Sequence, residues 1–135
     1  MSIKKSSIFV VAIVLIFTLI QVMSSGGNTM QLDMGTDAMS FSGIDEFRYE
    51  VPYADITAAE LIRVTDWETY GGHEFGPYRV GEVSGANGSS YILFVTTQAD
   101  NAVVASLADG RQVVYNYNST NGTQEIYNIL LNNID

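Results

Sequence analysis

The apolar run from Ile8 to Val22, with Met23 after it, limits this 135-residue chain more than any other feature. It carries no charge, and Thr18 and Gln21 are its polar interruptions. A helix crossing the hydrocarbon of a bilayer needs roughly 17–25 mostly apolar residues, so residues 6–23 qualify at the short end. Lys4 and Lys5 precede the run, and nothing basic follows until Arg48. Under the positive-inside tendency this places residues 1–5 in the cytoplasm, residues 6–23 in the cell membrane as a single-pass transmembrane helix or signal anchor, and the remainder on the extracytoplasmic side. The competing reading is a cleaved secretory signal. Its apolar core would usually span about 7–15 residues and end at a small-residue site. Met23-Ser24-Ser25-Gly26 is a poor site of that kind, and the run reaches the upper length limit. A buried core helix fits least, because the segment is apolar all round and has no amphipathic stripe.

Charge narrows the partners. Beyond Met23 there are four arginines and no lysine against fifteen carboxylates. Such a field repels nucleic acid and anionic phospholipid headgroups, both of which are bound through clustered lysine and arginine. The sequence has no cysteine. That excludes disulfides, zinc–thiolate sites, a thiol nucleophile and cysteine lipidation.

Residues 24–42 are rich in Ser, Gly, Asn, Thr and Asp and read as a flexible linker, with Met30, Met34 and Met39 scattered through it. From residue 43 to 135 short apolar runs alternate with turn signals, which predicts a mostly β domain. Phe47, Tyr49 and Val51 alternate on one strand, and Pro52 ends it. Ile56 to Val64 mixes helix and strand formers, and its length and setting favour strand. Tyr70-Gly-Gly-His-Glu-Phe-Gly-Pro77 reads as a long loop. Strands are expected over Tyr78 to Val83, Tyr91 to Thr97 (the most apolar and so central), Ala102 to Leu107, and Val113 to Tyr117. Asn87-Gly88 and Asp109-Gly110 are hairpin signals, and Gln98 to Asn101 forms a turn. The period then changes. Ile126, Ile129, Leu130 and Ile134 follow helical spacing, Tyr127 and Leu131 widen the stripe, and Asn121 with Gln124 has capping-box spacing. One helix of three to four turns should close the chain and plug an open end of the sheet.

This order, with particular residues, resembles the bacterial pleckstrin-homology-like (bacterial PH) domains of membrane-anchored proteins. The matching features are Val51-Pro-Tyr-Ala-Asp-Ile56 leading into Ala59-Glu-Leu61, and the glycine-rich segment from Tyr70 to Gly81. Gly88 before the apolar Tyr91 to Val95 run follows, then Asp109-Gly110 ahead of Val113 to Asn116, and Glu125-Ile-Tyr127 in the closing helix. The likeness covers roughly residues 45–134. It implies a PH-like antiparallel β-barrel or sandwich of about seven strands in two near-orthogonal sheets, capped by a C-terminal α-helix. The lipid sites of related modules use clustered Lys and Arg near the first hairpin. Here Arg48 and Arg63 stand among Asp45, Glu46, Glu50, Asp55 and Glu60, which argues against a headgroup site.

Candidate chemistry is sparse. His73 is the sole histidine, and no Gly-x-Ser-x-Gly elbow or other placing motif accompanies it. No catalytic residue, cofactor or metal ligand is therefore assigned. Asp66, Glu68 and Glu74 offer oxygen ligands, but no Asp-x-Asp-x-Asp-Gly calcium loop exists, so they read as solvated surface. Trp67, Tyr70, His73 and Phe75 gather around the glycine-rich segment and are the candidate contacts for a protein or peptide partner, because aromatic residues anchor interfaces. Tyr78 reads as core, and composition assigns Trp67 to neither role. Asn87-Gly-Ser89, Asn118-Ser-Thr120 and Asn121-Gly-Thr123 fit the glycosylation sequon, though turn chemistry explains them equally well. The expectation is a membrane-anchored, non-catalytic binding or scaffolding module. The alternative is a secreted calcium-dependent or hydrolase-like protein released by signal cleavage.

Overall fold

A computed structural model describes residues 24–25, 28–44, 46–84 and 90–134. The apolar run that suggests a membrane span lies outside them, as does Asn87-Gly88. Among the described residues no helix is long and apolar enough to cross a membrane. The described residues are mostly β, with a helix at their C-terminal end. It divides into two compact units, Met1–Ala54 with Asn128–Asp135, and Asp55–Tyr127.

The first unit holds strands β1 (Ser24–Ser25), β2 (Asn28–Thr29), β3 (Gln31–Met34), β4 (Ala38–Ile44) and β5 (Phe47–Pro52). β1 and β2 form a small antiparallel pair, and β3-β4-β5 form an antiparallel meander. The expected linker is therefore corrected: its second half consists of strands. Met30, Leu32 and Met34 are spaced two residues apart and all buried, and Met39 and Phe41 repeat that period on β4. Leu32 pairs with Phe41, and Met34 with Met39. This puts one apolar face together from residues that stand among Ser, Gly and Asp in the sequence. The buried Tyr53 clasps the β3–β4 turn. Its hydroxyl donates to the Gly35 carbonyl at 2.8 Å and its N–H to Asp37 O at 2.9 Å. Burial, with lesser help from Asp33 and Asp37, raises the Tyr53 pKa well above the ordinary phenol value.

The second unit holds β6 (Ile56–Arg63), β7 (His73–Phe75), β8 (Tyr78–Ser84), β9 (Ser90–Thr96), β10 (Asn101–Leu107) and β11 (Gln112–Tyr115). They form one sheet in the order β6-β10-β11-β9-β8-β7. The sheet ends in two edges, so it does not close into a barrel. β7 corrects a second expectation, since the glycine-rich segment contains a short strand. The all-antiparallel order also fails at one place: β11 lies parallel to β9, with Val113 beside Ile92 and Tyr115 beside Phe94. The chain leaves β9 and reaches β10 through a short turn, but β11 takes the slot between them. β10 and β11 are joined by the expected Asp109-Gly110 hairpin, where the Gly110 N–H donates to Leu107 O at 3.0 Å.

Asn116 holds the end of that slot. Its side chain accepts from the Thr96 N–H at 2.8 Å and donates to Thr96 O at 2.9 Å and Asn101 O at 3.1 Å. The buried amide thus joins β9 to β10 where β11 stops, and supplies the bonds a longer strand would have made.

Helix α1 (Thr120–Asn133) follows. Ser119 caps it, its hydroxyl accepting from the Gly122 N–H at 2.9 Å, so the cap lies two residues before the expected Asn121. The Thr123 hydroxyl accepts from the Tyr117 N–H at 3.0 Å. A β-carbon at Gly122 would collide with the Tyr117 ring, so this turn requires glycine. Ile126, Ile129 and Leu130 are buried as the spacing predicts, whereas Leu131 is exposed.

Candidate functional site

Alternation along the strands gives the six-stranded sheet two unlike faces. One carries Ile92, Phe94, Val103, Ala105, Val113 and Tyr115, all buried. The register assigns three rows to the other face. Ile62, Ala102 and Val95 lie in the first, Glu60, Val104, Val114 and Leu93 in the second, and Ala58, Ser106, Gln112, Tyr91 and Val83 in the third. Apolar residues of the first two rows pack with Val64 and Trp67 into a buried cluster. Ile62, Tyr70, Val83 and Tyr91 are half-buried at its margin.

The cover over this face is the single-turn 3-10 helix Trp67–Tyr70. Asp66 starts it, accepting from the Glu68 N–H at 3.0 Å. The Thr69 hydroxyl donates to Asp66 O at 2.9 Å, and the Gly71 N–H donates to Glu68 O at 3.2 Å. A turn this short leaves Asp66 and Glu68 facing water while Trp67 faces the sheet. The indole N–H donates to Ala99 O at 3.0 Å, which fixes the ring over the covered rows.

Gly71 and Gly72 then return the chain to β7. Gly72 has φ +80°, and a β-carbon there would lie 2.9 Å from Leu93 Cδ2 and 3.2 Å from Val80 O. The close approach and the left-handed conformation both require glycine. Arg79 anchors this return: its guanidinium donates to Gly71 O at 3.1 Å and to the Glu74 carboxylate at 3.0 Å.

Three rings form a ledge. Trp67 and Tyr70 have centroids 5.7 Å apart, and Tyr70 and Tyr91 lie 6.1 Å apart in an edge-to-face arrangement. The Tyr91 hydroxyl donates to the Tyr70 carbonyl. Desolvation, then the neighbouring Tyr70, raises the Tyr91 pKa above its ordinary value, so the phenol stays protonated as a donor. A cleft of about 240 Å³ lies at this end of the sheet, lined by Val83, Tyr91 and Arg111 and by Glu82, Ser84, Ser90 and Ile92, which the register places on the face opposite the ledge. Arg111 is tied to Asp109 at 2.9 Å.

The four expected contact residues therefore separate. Trp67 is only 9% exposed and acts as core, so its assignment as a contact residue is corrected. Tyr70 is half-buried on the ledge, whereas His73 is exposed and Phe75 half-buried on β7, at the sheet edge. Sequence reasoning missed Tyr91 and Val83 as site residues. In the sequence they stand only as the end and the start of strands, and what brings them to the surface is their position in the outermost row.

Among the described residues, no group of three or more His, Asp and Glu could hold a metal ion. No known protein family, curated protein or solved structure matches this chain.

Proposed function

We propose that this chain is a single-pass, membrane-anchored, non-catalytic binding module whose acidic, divergent PH-like β domain faces the extracytoplasmic side. The Tyr70–Tyr91 ledge, with Val83, recognises a segment of a protein or peptide partner. Sidedness is supported by Lys4 and Lys5 ahead of the apolar run and by the lysine-free, carboxylate-rich body after it. The PH-like reading is supported by the closing helix after the last strand, while the parallel β9–β11 pair is a departure from that pattern. One observation carries the binding reading: two aromatic rings, Tyr70 and Tyr91, stay half-exposed beside Val83 at the margin of a well-packed cluster. The anchor raises the domain's effective concentration at the membrane, so modest affinity suffices there.

The test uses the native membrane. A photo-crosslinking amino acid replaces Tyr70, and protease is added to intact cells in parallel. Crosslinks to a reproducible protein segment, with the β domain accessible to protease, are the expected result. A body that stays protected while a surface control is cut would overturn the topology. Retention of residues 1–23 in the intact mass of the native protein is expected, and their loss would overturn the anchor.

A further inference from the structure

The six-stranded sheet ends in two edge strands, and they are not alike. β7 is three residues long, bounded by the left-handed Gly71 and Gly72 before it and by Gly76 and Pro77 after it. An edge so short offers little for another chain to pair with. β6 runs from Ile56 to Arg63, contains no glycine, proline or lysine, and stands last in the strand order. Thr57, Ala58, Glu60 and Arg63 are exposed on it, and Ala59, Leu61 and Ile62 are half-buried. A bulge leaves Thr57 unpaired with β10, and from Ala58 onward the register is regular.

The ladder fixes which backbone groups of β6 face outward. The Val64 N–H donates to Asp100 O at 2.8 Å, so these two residues form a hydrogen-bonded pair. In an antiparallel ladder such pairs alternate with non-bonded ones. Ala58, Glu60 and Ile62 therefore turn their N–H and C=O toward Ser106, Val104 and Ala102 of β10. On the far side of β10 the Leu107 N–H donates to Arg111 O at 2.8 Å, as the same alternation requires. Ala59, Leu61 and Arg63 turn theirs away from β10, where the sheet has no further strand.

A second copy of β6 can meet these groups in few ways. Outward groups must face outward groups, so a two-fold antiparallel pair sets odd-numbered residues against odd-numbered ones. Its axis then passes beside one residue and that residue's own copy. An axis at Ala59 uses only Ala58 to Glu60 of the regular stretch, and an axis at Ile62 leaves Ala58 and Ala59 unpaired. An axis at Glu60 places that carboxylate directly against its copy, and like charges opposed across a ladder are destabilising. An axis at Leu61 uses the whole stretch from Ala58 to Val64. It sets Leu61 against Leu61, Ile62 against the aliphatic stem of Glu60, Ala58 against Val64 and Ala59 against Arg63, with no like charges opposed. Ladder polarity, regular length and side-chain pairing together select this one register.

We propose that two copies of this chain pair through β6, antiparallel about a two-fold axis at Leu61, so that their six-stranded sheets join into one. The absence of cysteine makes the test direct. Across a hydrogen-bonded pair the Cα atoms lie about 5.5 Å apart, within the reach of a disulfide. The full chain in neutral detergent micelles carries one cysteine at a time and is oxidised with glutathione disulfide. Expected is a covalent dimer from Leu61→Cys and none from Glu60→Cys, Ile62→Cys or, at the opposite edge, His73→Cys. Residues 60 and 62 meet their own copies only diagonally, beyond disulfide reach. A mixture of Ala59→Cys and Arg63→Cys chains should give the mixed dimer and neither homodimer, which tests the register with Leu61 unaltered. Leu61→Lys opposes two like charges at the axis and should raise the dissociation constant of the dimer about tenfold in sedimentation, with the circular dichroism unchanged.

A folded chain that stays monomeric at every concentration overturns the inference, as does equal crosslinking at all positions. A dimer trapped at Glu60→Cys but not at Leu61→Cys overturns the register. In native membranes, capture of a different protein by the Leu61→Cys chain in place of its own copy overturns the pairing and assigns the edge to a foreign strand. Tyr70, Val83 and Tyr91 all lie outside β6, so these results and the Tyr70 crosslinks succeed or fail separately.

Discussion

At one end of the six-stranded sheet, the side chain of Asn116 satisfies three backbone groups on two strands at zero exposure, and the Trp67 indole bonds to Ala99 beside it. At the other end, the same strands present Tyr91 and Val83 half-bare. The two ends use comparable residue types for opposite purposes. Polar groups at the covered end are matched within the protein, and a change there is paid in stability. The exposed side chains at the open end make no such buried bonds, and a change there should leave the fold intact while altering what can bind.

Substitutions can break or sharpen that contrast. Trp67→Ala should cost about 4 kcal/mol, because it leaves a cavity over Val104 and Leu93 and strands the Ala99 carbonyl. Chemical denaturation would show a large drop in midpoint. Asn116→Ala should cost about 3 kcal/mol, since three buried backbone groups lose their partner at roughly 1 kcal/mol each at least. If either change proved neutral, the covered end would not be the stabilising one. Tyr91→Phe keeps the ring and removes the bond to the Tyr70 carbonyl, and should cost about 1 kcal/mol by the same measurement. Glu82→Gln should stay within about 0.5 kcal/mol, as exposed substitutions do. The smallest effect lies in the β10–β11 hairpin. Hydrogen bonds from Arg111, first from its side chain and then its backbone, hold the exposed Asp109 carboxyl below its ordinary value of 3.8. A depressed pKa means that the contribution is fully present above 3.8 and fades as pH falls through the lower folded value. Arg111→Ala should shrink that slope in an acid-unfolding curve, leaving the part held by the backbone N–H of residue 111, and change little at neutral pH.

Local signals carried much of the β architecture. Period-two alternation located β5, apolar runs between turn signals located β8, β9 and β10, Asp109-Gly110 located a hairpin, and helical spacing located α1. The failures share one cause, which is that partners distant in sequence decide the outcome. Met30, Leu32 and Met34 alternate, but their neighbours are linker-like, and only pairing with Met39 and Phe41 makes a strand of them. Nothing local announces that β11 slides between β9 and β10, because the Gln98 to Asn101 turn would serve an ordinary hairpin equally well. The site was half legible. Composition around the glycines pointed to Trp67 and Tyr70, yet it could not tell that one ring is floor and the other is rim. Tyr91 looked like core because its strand is apolar throughout, and its exposure comes from standing in the last row.

The interposed β11 also governs the order in which the domain can be completed. β9 and β10 have no direct ladder with each other, so the β7-β8-β9 half and the β6–β10 pair stay separate until residues 112–115 arrive. A chain emerging N-terminus first exposes the inner borders of both halves until its last strand enters, as a zip closes only when its slider is fitted. A chain stopped ahead of Gln112 would retain two raw strand edges, a recognised invitation to intermolecular pairing.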